Sequence, residues 1–180
     1  QFRRTRLMIL DDVCELIIDT EHKTAPRATD GYPSIRTPKI GKGRFLLDGV
    51  YRVSEDTYKK WTRRATPKAE DLILAREAPV GNVAMIPEGL IPCLGQRTVL
   101  LRPNKEIIVP KFLCYYLLSY EMQNLIASLS SGATVAHLNM KDIRGLELGE
   151  IPSLPFQIRV ADILSNYDDI KKNYRPLLKG

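Results

Sequence analysis

The final segment constrains the fold most. Pro152 and Pro155 break the backbone, and Phe156–Tyr174 then runs 19 residues without glycine or proline. Val160, Ile163 with Leu164, Tyr167, Ile170 and Tyr174 recur there at alternating three- and four-residue steps, the spacing of a coiled-coil seam. At 1.5 Å per residue this predicts a helix about 28 Å long. With fewer than three heptads, two readings stay open: a seam that packs on a partner, or a helix packed on its own domain. Pro155, read as a break ahead of the helix, favours the partner. The expected division is a body of residues 1–151 and a helical segment, 152–180, for dimerisation or subunit contact.

The body is expected to consist of short, punctuated elements. Leu7 to Ile18 reads as an opening strand running into a helical turn at Asp11–Leu16. Residues 19–38 look loop-like, with Pro26, Gly31, Pro33 and Pro38 as breaks. Tyr51–Val53 is a short strand. Ser54 followed by Glu55 and Asp56 starts a helix through about Arg63, because a hydroxyl cap and acids suit a helix N-terminus. Asp71–Arg76, Asn82–Ile86 and Thr98–Arg102 are β-rich. Pro110 opens a helix carried by Leu113, Tyr116, Leu117, Tyr120 and Leu125 as far as Ser131-Gly132. The fold class expected is α/β of the α+β type: a compact mixed sheet with flanking helices, plus a C-terminal coiled-coil-type helix. A chain of 180 residues can bury a respectable core.

Charge is unevenly placed. The chain has 27 Lys and Arg against 21 Asp and Glu, a net +6. Residues 36–68 hold ten cations against only Asp48, Glu55 and Asp56, netting +7. Phe45, Tyr51, Tyr58 and Trp61 are interleaved with them. Clustered cations with flat rings suit a phosphate backbone and its bases. The same composition also makes a solvated face with its rings in the core, and for Trp61 a core anchor is the better reading. A content of 44% apolar and 27% charged residues excludes disorder. No apolar run approaches the ~18 residues of a membrane span, and Gln-Phe-Arg-Arg is no signal peptide. A start on Gln1 reads as a piece cut from a longer chain. Cys14, Cys93 and Cys114 make neither a disulfide framework nor a metal pattern, so a cytoplasmic setting is expected. His22 and His137 lack partners at ligand spacing, so zinc is not expected.

Several segments then follow one another in order. They are Ile18-Asp19-Thr20-Glu21-His22-Lys23-Thr24-Ala25-Pro26, Gly31-Tyr32-Pro33-Ser34-Ile35-Arg36, Ile40-Gly41-Lys42-Gly43, and Val53-Ser54 with Tyr58. Next come Glu70-Asp71-Leu72-Ile73-Leu74-Ala75-Arg76 leading to Val80-Gly81-Asn82-Val83-Ala84, then Leu101-Arg102-Pro103. The last are Ser131-Gly132-Ala133-Thr134-Val135-Ala136-His137-Leu138-Asn139 and Ile151-Pro152 with Gln157 and Ile163-Leu164. Together they resemble the target-recognition domain of the DNA-specificity subunit of type I restriction–modification enzymes. The resemblance covers nearly the whole chain, and the run from Ser131 to Asn139 is its most specific part. Thr20 departs from the family's usual Gly, Ala78-Pro79 from a Gly-containing loop, and Phe156 from a Glu before Gln157. Most such subunits carry two domains joined by two long helices. One domain and one helix here imply a half-length subunit that dimerises, or half of a longer chain.

The resemblance implies a non-catalytic subunit that reads one half of a bipartite double-stranded DNA target. It also implies modification (methyltransferase) and restriction subunits as partners. S-adenosylmethionine, ATP and Mg²⁺ would belong to them, with no cofactor on this chain. No Asn/Asp-Pro-Pro-aromatic motif, P-loop or Gly-x-Gly-x-x-Gly is present. Base contacts are expected from His22, Lys23, Thr24, Arg27, Arg36, Thr37, Lys39, Arg76, Gln96 and Arg97, since Arg matches guanine and Gln adenine. Arg76 could equally be an ion-pair member. Lys42, Arg44, Arg63 and Arg64 are expected on phosphates. Thr134 lies where small residues let backbone approach a phosphate, or simply make a structural turn. Partner contact is expected from Val160, Ile163, Leu164, Tyr167, Ile170 and Tyr174. Two rival readings remain. Asp12 with Glu21 and Lys23 resembles a nuclease core, in which carboxylates hold Mg²⁺ and lysine supports the attacking water. Alternatively, the chain is a basic adaptor that binds proteins alone.

Overall fold

The computed structural model describes residues 7–130 and 136–174. In chain order its strands are β1 (Met8–Ile9), β2 (Cys14–Asp19), β3 (Tyr32–Ile35), β4 (Arg52–Val53), β5 (Leu72–Ala75), β6 (Val83–Met85), β7 (Cys93–Leu94), β8 (Thr98–Pro103) and β9 (Glu147–Gly149). Its helices are α1 (Glu55–Trp61), α2 (Pro110–Leu117), α3 (Tyr120–Ser130), α4 (Met140–Arg144) and α5 (Leu154–Tyr174). The class is α+β, as expected, but the strands form three sheets rather than one. The central sheet is antiparallel, in the order β2-β8-β5-β6. A smaller sheet, β4-β3-β7, contains the parallel pair β3–β7, and β1 pairs with β9.

The central sheet is covered on both faces, which explains why Leu72-Ile73-Leu74-Ala75 is apolar throughout instead of alternating. Successive strand residues point to opposite faces. Leu72 and Leu74 join Ile17, Val99 and Leu101 in the large core with Leu113, Leu117, Ile126 and Ile143 of the helices. Ile73, Ala75 and Leu100 join Ile35, Ile40, Ile86 and Leu94 on the other side. A third cluster sets Val53 and Cys93 against Tyr32, Tyr51, Tyr58 and Trp61, so Trp61 is a packing ring. Gly31 opens β3 at φ +114°, and a Cβ there would lie 2.1 Å from the Val53 carbonyl oxygen. Only glycine fits that approach. Burial pushes the Cys14, Cys93 and Cys114 thiols up to about 12, so all three remain protonated packing groups.

Four elements differ from the sequence reading. Tyr32–Ile35, inside the stretch read as loop, is strand β3, because β4 and β7 pair with it. The turn at Leu10–Val13 is a single 3-10 turn, with Asp12 Oδ2 accepting from the Ile9 amide at 3.1 Å. Cys14 onward is strand, because β8 pairs with it as far as Asp19, with a register shift between Cys14 and Leu16. The long helix expected from Pro110 to Ser131 is two, α2 and α3. Ser119 supplies the carbonyl for the Gln123 amide, and Gln123 Nε2 donates to Leu117 O at 2.7 Å and Gly81 O at 3.0 Å. Those bonds satisfy groups that a helix break exposes. Nothing periodic marks that break.

Pro155 lies inside the first turn of α5, where a missing amide is harmless, and α5 begins packed on the body. Gln157 is fully buried: its Oε1 accepts from Val109 N at 2.7 Å, and its Nε2 donates to Ile107 O and Pro152 O. Ala161 enters the large core, Lys111 Nζ donates to Ser165 Oγ, and Tyr115 Oη donates to Asp168 Oδ2 at 2.9 Å. Burial, then the Asp168 hydrogen bond, push Tyr115 up to about 12. Gln157→Ala strands one amide and two carbonyls of partly buried residues, each costing roughly 1 kcal/mol, the low end of the range for unsatisfied groups. A loss of about 3 kcal/mol should lower the melting temperature by roughly 6–12 °C for a chain this size. Unchanged melting by circular dichroism would show that α5 does not depend on this anchor. Among the described residues, no helix is long and apolar enough to cross a membrane.

Candidate nucleic-acid interface

Antiparallel pairing brings chain segments far apart in sequence to one end of the central sheet. Asp19 lies opposite Val99, Ala75 opposite Thr98, and Leu74 opposite Val83. The ends of β2 and β5 therefore sit beside the starts of β8 and β6. That end gathers the loop after Asp19, residues Arg76 and Glu77, the turn at Gln96 and Arg97, and Asn82. The basic turn at Lys42 docks there too: Asn82 Nδ2 donates to Ile40 O and the Gly43 amide to Val83 O, both at 2.8 Å. Arg36 joins through β3, since the Gly95 amide donates to Ile35 O at 2.7 Å. A Cβ on Gly95 would stand 2.6 Å from Arg36 Cγ, so glycine makes room for that arginine. Thr20, which departs from the family pattern, is buried with its Oγ1 2.8 Å from Gly95 O and 2.9 Å from Thr98 O. It locks the first loop to this turn.

A chain of directed bonds organises the end. Asp19 Oδ2 accepts from Arg76 Nη1 at 2.6 Å and from His22 Nε2 at 3.0 Å. Asp19 O accepts from Arg64 Nη1 at 3.1 Å, which ties the loop to the residues after α1. Arg76 Nε donates to Leu138 O at 3.0 Å, and its Nη2 reaches His137 Nε2 at 3.0 Å. A guanidinium only donates, so His137 Nε2 accepts and its proton sits on Nδ1. That Nδ1–H donates to Glu77 Oε1 at 3.2 Å, and Glu77 Oε2 accepts from Arg97 Nη1 at 2.8 Å. His22, Arg76, Glu77, Gln96, Arg97 and His137 enclose a cleft of about 220 Å³.

The site residues read from the sequence fall into distinct groups. Lys23, Thr24, Arg27, Lys42, Arg44, Arg63 and Arg64 are exposed, with the Arg27 guanidinium 4.8 Å from the centre of the Tyr51 ring. His22 and Arg97 are exposed at the cleft, and Gln96 is half-buried there. Arg36 and Lys39 are half-buried, and Lys39 Nζ donates to Asp48 O. Thr37 and Arg76 lie inside the fold, each 7% exposed. Arg76 is an internal tie between three segments, the ion-pair alternative that the sequence left open. Thr134 and the side chain of Tyr174 lie outside the described residues. On α5, Val160 packs against the body, while Ile163, Leu164, Tyr167 and Ile170 are exposed. Phe156, at the same spacing, extends that stripe. The sequence reading missed Asp19, Glu77 and His137 as members of the site. Only the places of Asp19 and His137 in the ordered motifs hinted at them, while Glu77 lies between two motif runs.

The nuclease constellation does not assemble. Asp12 precedes β2 and Glu21 follows it, so the six-residue strand separates them by roughly 20 Å at about 3.3 Å per residue. One metal ion cannot bridge that. Among the described residues, no three His, Cys, Asp or Glu side chains cluster in a way that could hold a metal.

A family model described as type I restriction modification DNA specificity domain matches residues 7–176. The type I restriction enzyme EcoBI specificity subunit of Escherichia coli is 24% identical over 147 residues, 79% of this chain and 31% of that protein. A putative type I restriction enzyme MjaX specificity subunit of Methanocaldococcus jannaschii is 33% identical over 168 residues, 89% of this chain and 39% of that protein. The chain thus spans about a third of the length of these relatives. Among solved structures, an HsdS subunit from Thermoanaerobacter tengcongensis aligns over 99% of this chain and 40% of its own, with TM-score 0.63 and 20% identity. A type I restriction–modification S subunit from M. genitalium aligns over 99% and 44%, with TM-score 0.65 and 16% identity. Those likenesses establish the fold.

Proposed function

Since the chain belongs to the family of type I restriction modification DNA specificity domains, we propose that it reads one half of a bipartite sequence in double-stranded DNA. It is the non-catalytic part of an assembly whose modification (methyltransferase) and restriction subunits carry the chemistry. S-adenosylmethionine, ATP and Mg²⁺ belong to those subunits. The observation that carries this reading is the gathering of the first loop, the Lys42 turn and the Arg97 turn at one end of the central sheet. There, exposed Arg97 and His22 line a cleft of mixed polarity with Glu77 and Gln96. Phosphate contacts fix register and bring strong salt dependence, while groups that reach base edges supply sequence information. The exposed α5 stripe is the contact for a second copy or for the other half of a longer protein.

Sequencing the methylome of cells that carry the modification subunits, with and without this chain, tests the reading. A new bipartite methylated motif is expected only with the chain. If no motif appears, the DNA-reading function is wrong. Four phosphate contacts, from the exposed candidates Lys42, Arg44, Arg63 and Arg64, would weaken duplex affinity about 10²-fold between 50 and 200 mM salt. A flat salt titration by fluorescence anisotropy would contradict that electrostatic footprint.

A further inference from the structure

Within the DNA-reading function proposed above, on which this inference rests, we propose that Arg97 is the guanine-reading residue and Glu77 is its positioning residue. The first ground is charge balance. Around the cleft, the cations Arg76 and Arg97 are matched by Asp19 and Glu77, with His22 and His137 beside them. A phosphate site needs uncompensated positive charge, and Glu77 beside Arg97 repels an incoming phosphate. The major-groove edge of a base pair presents donors and acceptors together, and guanine offers two acceptors that match an arginine fork. The mixed cleft suits a base edge. Lys42, Arg44 and Arg63 are exposed and suit the backbone, whereas Glu77 is paired with Arg97 and His137.

The second ground is the way Arg97 is held. Its side chain is 56% exposed, yet Nη1 is fixed 2.8 Å from Glu77 Oε2. Its backbone has φ +67°, uncommon for a residue with a Cβ, and its carbonyl accepts from the Arg76 amide at 3.0 Å. Both ends of an otherwise flexible side chain are therefore anchored, which reduces the rotamer freedom lost on binding. Glu77 is itself oriented by His137 Nδ1–H, His137 by Arg76, and Arg76 by Asp19 and Leu138. Every donor in that series faces an acceptor, so the orientation of each group sets the next. Arg76, buried at the root, acts on recognition through this series rather than by contact.

Selection from a randomised duplex library, using this protein together with the modification subunits, tests the assignment. The parent should yield a motif with guanine at one position that Arg97→Ala degrades by about 10- to 100-fold, leaving the other positions intact. Arg97→Lys keeps the charge but lacks the fork, and should lose the same guanine. Glu77→Gln should erode that position to a smaller extent, whereas a merely structural defect would weaken all positions alike. Lys42→Ala, on the phosphate-contacting turn, should weaken every position evenly. The assignment is overturned if Arg97→Ala leaves the motif unchanged, weakens it uniformly, or degrades a position that is not guanine. If the parent itself selects no motif, the DNA-reading function fails, and this inference with it.

Discussion

Arg76→Ala is expected to lower the melting temperature by roughly 6–12 °C, the shift that about 3 kcal/mol produces in a chain of this size. Removing one partner of a buried ion pair costs ~3–5 kcal/mol when the other charge stays buried. The lower figure is appropriate because the Asp19 side chain keeps 19% exposure. The substitution also removes the donors facing Leu138 O and His137 Nε2. Arg76→Lys should rescue little of this, because a single ammonium cannot span Asp19, Leu138 and His137 from one position. A double-mutant cycle with Asp19→Asn separates the pair from the packing: coupling above about 1 kcal/mol is expected for groups in one network. A stability change within about 0.5 kcal/mol of the parent, the range of ordinary surface substitutions, would place Arg76 at the surface after all.

Ile163→Asp is expected to abolish association through α5 while leaving the melting of the body unchanged. Ile163 is 66% exposed and lies on a stripe with Phe156, Tyr167 and Ile170. The opposite face of the same helix places Gln157 and Ala161 against the body. A charge at the centre of an apolar seam should cost 2 kcal/mol or more, about 30-fold in affinity, as at an interface hot spot. Light scattering over a concentration series should show a dimer for the parent and a monomer for the variant. A parent that stays monomeric throughout would refute self-association. A variant that unfolds would show that the stripe supports the body instead.

Much of the local structure was readable from residues alone. Ser54 does cap α1, with its Oγ accepting from the Thr57 amide at 3.3 Å, because N-capping is decided within four residues. The β-rich runs at β5, β6 and β8 and the proline start of α2 were equally local. The break between α2 and α3 was not, because Gln123 stabilises it by reaching Gly81, 42 residues away. Nor was the strand character of Cys14–Leu16, which depends on pairing with β8.

The same division holds for the candidate site. Periodicity, capping and composition are properties of neighbouring residues, so the residues alone decided the start of α1, the β-rich runs at β5, β6 and β8, the concentration of cations in residues 36–68 and the apolar stripe of the last helix. Exposure is a property of what remote segments place around a side chain. Only the antiparallel register of β2, β8 and β5 could bring Asp19, Arg76 and Arg97 together, bury Arg76 and leave Arg97 at the cleft. Only docking on α2 could divide α5 into a covered face and an open one. The physical reason is that hydrogen bonds and burial are settled by partners far away in sequence, whose positions no local pattern records.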